Sequence, residues 1–193
     1  MEKEQIFYFG SGCSLKGRML SNLYGAQIEI DGVLYPSVEH AFQEKKFNFT
    51  DSPFQKGGIL DKEEGLHLVL ETEKKCKYWL DQKKCIGIVA KMFASKKTLN
   101  HRFVTSRKAD FYSDWEMWKP LLLAKFEQNP ECKEALLSTG NLYLIEFNRG
   151  AKRACDYGSE PYWSGLLKDG KLYGKNTMGL YLMKIRNILK GRD

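Results

Sequence analysis

Glu39, Gln43 and Lys46 stand four and then three residues apart, a spacing that sets their side chains along one side of a helix. The stretch that carries them, Ser37 to Phe49, reads as such a helix, with Ser37 as its N-cap and Glu39 in the first turn at the positive end of the dipole. On the helical wheel Val38, Phe42 and Phe49 form an apolar stripe, and Glu39, Gln43 and Lys46 fill the adjoining arc with Phe47 beyond them. His40, Glu44 and Asn48 fall on the far side, which reads as the solvated face. Glu39 and Lys46 are two turns apart, roughly 10 Å along the axis, too far to neutralise one another and far enough for a ligand to lie between them. A carboxyl and an amine so placed can move protons and attack an electrophile. The competing reading is that both snorkel from the edge of a core helix to water.

The segments around this helix must position it. Ile6-Phe7-Tyr8-Phe9 reads as a short buried strand, followed by a glycine-rich loop that reaches Asn22, whose amide could read a sugar hydroxyl or a base edge or simply satisfy nearby backbone. Gln27–Ile30 and Val33–Tyr35 flank Asp31-Gly32, the strongest short hairpin signal in the chain, and deliver it to Ser37. Thr50–Pro53 is a break, and residues 61–95 read as two or more helices. Gly57-Gly58 is a turn and not a phosphate loop, because no Gly-Lys-Ser/Thr follows. Trp115 and Trp118 lie in an aromatic stretch and are packing residues or stacking faces for a base, with Pro120 suited to a first helical position. A second helix starts at Asn129-Pro130 and ends at Gly140, Leu142–Phe147 reads as a strand, and 148–174 reads as a long irregular loop. Asn176 is placed to cap the final amphipathic helix.

With 193 residues, 42% of them hydrophobic and 13% aromatic, the chain has material for one substantial core and shows no linker or repeat, so a single domain over 1–193 is expected. No apolar run is long enough to span a membrane and no signal-type block follows the charged N-terminus, which implies a soluble, intracellular, cytoplasmic protein. Five scattered cysteines fit neither a disulfide frame nor a zinc site, and His40, His67 and His101 form no close ligand pair, so neither metal nor cofactor is expected. The formal net charge of +7 is uneven. Residues 74–108 hold eleven Lys and Arg against Asp81 alone, leaving the remainder slightly acidic. A block this basic either forms a solvated lysine-rich face or attracts an anionic partner, nucleic acid or a phosphorylated small molecule.

Taken together, several stretches resemble the YbiA-like N-glycosidases, or NADAR domains. They are Phe7-Tyr8, Leu20-Ser21-Asn22, Asp31-Gly32, the Glu-His-x-x-Gln-x-x-Lys-Phe order of Glu39 to Phe47, Trp115, Ala124-Lys125-Phe126, Tyr162-Trp163, and Gly174-Lys175-Asn176 with Gly179. The resemblance implies an α+β fold, predominantly helical with a small β-sheet. It also implies cleavage of the bond between a ribose anomeric carbon and an amine nitrogen, in ADP-ribosylated guanine of nucleic acid or in phosphoribosylamino intermediates of riboflavin synthesis. Three departures stand out: no Gly-Arg step follows the middle helices, Glu160 stands where an Asp is usual, and Ser164 replaces a Gly after Trp163. Residues 166–171 are additional.

Hydrolysing an N-riboside requires proton transfer at the departing nitrogen or ring oxygen and a nucleophile at the anomeric carbon. The resemblance assigns these tasks to Glu39 and to Lys46 through a Schiff base, which needs the lysine neutral and therefore desolvated by apolar neighbours, Phe42 and Phe49. A carboxylate route would pair Glu39 with Glu160 and form no adduct. Trp115 or Trp163 would stack on the base, and Asn22, Gln43, Glu160, Lys175 and Asn176 would contact ribose or phosphate. A non-catalytic ADP-ribose or nucleic-acid binding module is the alternative of a different class.

Overall fold

Asp31 and Gly32 both take positive φ, 53° and 79°, the backbone of a two-residue hairpin turn that only such residues adopt readily. They join the strands Ile28–Ile30 and Val33–Tyr35 as the sequence predicts. The computed structural model describes residues 5–49, 51–95 and 104–191. Lys96, Lys97, His101 and Arg102, with Thr50 of the expected break, lie outside them. In chain order the first half is β1 (Ile6–Phe9), α1 (Leu15–Leu20), β2 (Ile28–Ile30), β3 (Val33–Tyr35), α2 (Val38–Lys46), β4 (Phe47–Phe49), α3 (Glu63–Leu70), α4 (Glu73–Lys77) and α5 (Gly87–Ser95). The second half is β5 (Val104–Arg107), α6 (Trp115–Gln128), α7 (Pro130–Leu137), β6 (Tyr143–Glu146), α8 (Arg149–Tyr157), β7 (Leu166–Lys168), β8 (Lys171–Tyr173) and α9 (Thr177–Lys190). The class is α+β, predominantly helical, and among the described residues the strands are divided among four two-stranded sheets.

These elements gather into two compact units, residues 22–129 and residues 1–21 with 130–193. In the first, α2 packs on α5 and α6, and α6 lies along β2, where the Gln128 amide donates to Glu29 O and accepts from Glu29 N. Phe54, Leu60, Val69, Val89, Ala90 and Phe93 are fully buried in its core cluster. In the second, β1 pairs in parallel with β6, from Ile6 opposite Tyr143 to Phe9 opposite Glu146. Helix α9 packs on β6, and α7 packs on both α1 and α9 around Phe9, Leu20, Leu136, Leu144, Leu182 and Ile185.

Four expectations are corrected. The key helix ends at Lys46, because Phe47-Asn48-Phe49 alternates in burial and pairs antiparallel with β5. Pro120 is inside α6 and not at its start: Asp114 caps the helix, accepting from Met117 N at 3.1 Å, and five residues precede the proline. Stretch 148–174 is not an irregular loop. Asn148 caps α8 through a bond from Ala151 N, Gly158 closes it at φ 72°, and Asp169-Gly170, both at positive φ, fold β7 against β8. Asn176 holds the N-cap position of α9, yet its side chain makes no capping bond. Among the described residues no helix is long and apolar enough to cross a membrane, and all five cysteines are free thiols.

Candidate active site

Helix α2 is fixed at its first turn. Ser37 Oγ accepts from His40 N and lies 2.8 Å from His40 Nδ1, Glu39 N donates to Asn22 O, and Gly87 N donates to Leu23 O. Gly87 is the close approach that makes this possible, since a Cβ there would stand 2.7 Å from Leu23 Cα and 2.8 Å from Ser37 Oγ. His40 and Glu44, expected on a solvated face, are engaged inward. His40 is fully buried, and burial holds its imidazole neutral with a pKa of about 3. Glu44 accepts from Ser52 Oγ at 2.6 Å and Gln55 Nε2 at 2.7 Å. These bonds reverse the sequence reading because the segment after β4 folds back over that side of the helix.

Glu39 is 8% exposed and Gln43 5%. Gln43 Nε2 donates to Glu39 Oε1 at 2.7 Å, one turn along the helix as the spacing predicts, while buried Gln43 Oε1 has no hydrogen-bond partner among the described residues. Burial pushes the Glu39 carboxyl above the usual carboxylate range, against the pull of Lys91 on α5, the Gln43 bond and Lys46. At the other end of the helix burial lowers the Lys46 ammonium below its ordinary value, Arg107 lowers it further, and Glu39 opposes. The two shifts converge: the carboxyl is inclined to keep its proton and the amine to lose its own.

The aromatic surroundings differ from expectation. Phe49 lies in β4 and packs edge-on to Phe54 at 5.6 Å, away from the helical stripe, so it is Phe47 whose ring lies 5.1 Å from Lys46 Nζ. Phe42 stacks on Trp118 at 4.5 Å and 17° and meets the edge of Phe111 at 5.7 Å. Arg107 stands opposite Phe47 in the β4–β5 register, its guanidinium 5.8 Å from the Phe111 ring, and Lys108 N donates to Lys46 O.

Asn22, Glu39, Gln43, Lys46 and Trp115 thus belong to one unit. The backbone joins Asn22 to Glu39, and the side chains join Glu39 to Gln43. Trp115 is half-buried at the start of α6, but the tryptophan seated against α2 is Trp118. Glu160, Trp163, Lys175 and Asn176 belong to the other unit. There Glu160 is exposed, Trp163 meets Tyr162 and Tyr181 edge-on, and Lys175 Nζ lies 5.7 Å from the Tyr162 ring. Asn176 is wholly buried, its amide donating to Leu144 O at 2.8 Å and accepting from Glu146 N at 2.9 Å, so both ends are committed to β6. Sequence reasoning missed Lys91, Arg107 and Phe111, the first two visible only as members of a basic block, and it weighed Trp118 alongside Trp115 without separating the two.

A carboxyl and an amine tuned toward each other on one helix, in an α+β frame with small paired strands, define a candidate proton-transfer and nucleophile site. The chain belongs to the NADAR domain family, which matches it over residues 8–190. It is also similar to the E. coli protein YbiA, whose NMR structure covers 100% of this chain and 89% of its own at 22% identity with a TM-score of 0.56, a likeness of fold. No curated protein matches it. Family membership supports an N-glycosidase role of the hydrolase class.

Proposed function

We propose that the protein hydrolyses the bond between a ribose anomeric carbon and an amine nitrogen, and that its substrate is ADP-ribosylated guanine in nucleic acid. The observation that carries the chemistry is the pair on α2: a buried carboxyl with a raised pKa, hydrogen-bonded to Gln43, and a half-buried lysine with a lowered one. Glu39 gives its proton to the ribose ring oxygen as the ring opens and the anomeric carbon becomes an imine with the guanine nitrogen. Neutral Lys46 adds to that carbon, and the guanine amine leaves with a proton, so that an enzyme-bound imine replaces the substrate's. Water then adds, the C–N bond to Lys46 breaks, and the sugar aldehyde leaves with Lys46 restored. Gln43 Oε1, a buried acceptor, suits a ribose hydroxyl, and the cations Lys91 and Arg107 suit the phosphates.

Incubation with ADP-ribosylated guanine DNA and, separately, with a phosphoribosylamino pyrimidine tests the proposal by mass spectrometry of the released sugar phosphate. Release from the DNA is expected. Release from the pyrimidine alone would replace the substrate with a riboflavin-synthesis intermediate, and release from neither would leave a binding module. Borohydride added during turnover should trap the sugar on the wild type and not on Lys46→Ala. Equal trapping on both would remove Lys46 from this role.

A further inference from the structure

Helix α8 exposes a face that the chemistry above does not use. Arg149, Lys152, Arg153 and Tyr157 are all exposed, the tyrosine 84%, and at about 100° per residue they share an arc of roughly 140°. Ala151 and Ala154, fully buried, occupy the opposite side. Among the described residues none of the three cations forms an ion pair, and Asp156, on the same arc, bonds to none of them. Arg149 repels Lys152 and Arg153 at spacings of three and four, an arrangement that costs helix stability. In the basic block at 74–108 two of the cations are paired instead, Lys75 with Glu71 at 3.0 Å and Lys77 with Glu73 at 2.7 Å. On α8 all three cations stand exposed together on one face.

The β7–β8 hairpin, on which α8 packs, extends the pattern. Lys168 and Lys171 are exposed on either side of its turn, and Lys171 Nζ lies 5.2 Å from the Tyr173 ring. From 148 to 175 six cations face three carboxylates, interleaved with Tyr157, Tyr162 and Tyr173. Cations answer phosphates, and exposed tyrosine rings answer bases that are not already stacked in a duplex. A lipid surface would instead need bulky apolar side chains on the open face, where α8 carries none.

We propose that the exposed face of α8 with the β7–β8 hairpin is a docking surface for single-stranded nucleic acid, holding the polymer while a modified base is processed elsewhere on it. This deepens the nucleic-acid form of the proposed function, and the test separates the two because it reads binding of an unmodified strand. Fluorescence anisotropy would follow a labelled, unmodified oligonucleotide of about a dozen nucleotides, as DNA and as RNA, with the full chain across about 50 to 200 mM salt. The wild type should bind the single strand more tightly than its duplex. The combined Arg149→Gln, Lys152→Gln and Arg153→Gln variant should bind at least about tenfold more weakly at low salt, with the logarithmic salt slope reduced by about 2, near 0.7 for each lost phosphate contact. Tyr157→Ala should weaken binding at least about fivefold and Tyr157→Phe should restore it. Lys75→Gln should bind as the wild type.

Unchanged affinity and slope in the triple variant, absence of wild-type binding at low salt, preference for the duplex, or tighter binding to anionic phospholipid vesicles would each overturn the proposal. A protein that binds the strand through α8 but releases no sugar would keep the surface and lose the function. Release of sugar without strand binding would do the reverse.

Discussion

At Glu39 the proposed function and stability pull against each other. Its carboxyl is buried, so its folded pKa lies above the unfolded one, and the native state keeps a proton that the unfolded chain has already lost. Stability from this group is full below the unfolded pKa and falls as pH rises through the folded value. Glu39→Gln removes that fall while keeping an amide where the carboxyl stood. The expected result is a variant with most turnover lost and Tm at pH 7 raised, by roughly 2–4 °C for each kcal/mol recovered, seen by pairing a sugar-release assay with a thermal melt. In the wild type, activity should fall on the acid side as Lys46 takes a proton and on the alkaline side as Glu39 loses one. His40 tilts stability the other way. Held at about 3 in the folded state, it stays neutral while the unfolded chain protonates near 6.5, so stability is lost as pH drops from about 6.5 toward 3, by about 1.4 kcal/mol per pH unit for one proton. Urea melts at pH 7 and pH 5 should show this slope in the wild type and a flatter one in His40→Gln.

At the scale of elements, the site depends on the start of α2 being pressed against the start of α5. Gly87→Ala puts a methyl group against Leu23 Cα and Ser37 Oγ, so either the cap bond to His40 or the Asn22–Glu39 backbone bond must give. A loss of about 1–3 kcal/mol in chemical denaturation is expected, together with reduced turnover, whereas Gly12→Ala, which meets nothing, should leave both unchanged. Helix α2 also shows how far a sequence can be read. Its cap, its start and the Glu39–Gln43 neighbourhood were legible because they are local: a serine before the first turn and a spacing of four. Its end was not, because the competing β4–β5 ladder comes from residues some sixty positions later. The burial of His40 and Glu44 was likewise decided by Ser52, Gln55 and the core around them, which periodicity alone cannot see. Stretch 148–174 is a different case. Its hairpin turn, Asp169-Gly170, is the same dipeptide signal that identified Asp31-Gly32, and Asn148 and Gly158 bracket α8 as ordinary caps. Those signs were present and were outweighed by the density of glycines and charges.

For the molecule as a whole, class and family were legible, since they rest on ordered motifs spread over nearly the full chain, and the family match runs over 8–190. The division into two units was not, because no shift of composition marks residue 21 or residue 130; what marks them is pairing between distant segments. That pairing has a consequence in time. Ile6-Phe7-Tyr8-Phe9 finds its hydrogen-bonding partner only at Tyr143–Glu146, so on a ribosome adding about 5–20 residues per second the first strand waits on the order of ten seconds for the strand it joins. During that interval residues 22–129 are made in one uninterrupted run, while four consecutive apolar and aromatic residues remain an open strand edge of the kind that recruits other chains. Until residues 143–146 have been made, the edge of β1 is therefore expected to stand open to aggregation and to chaperone capture.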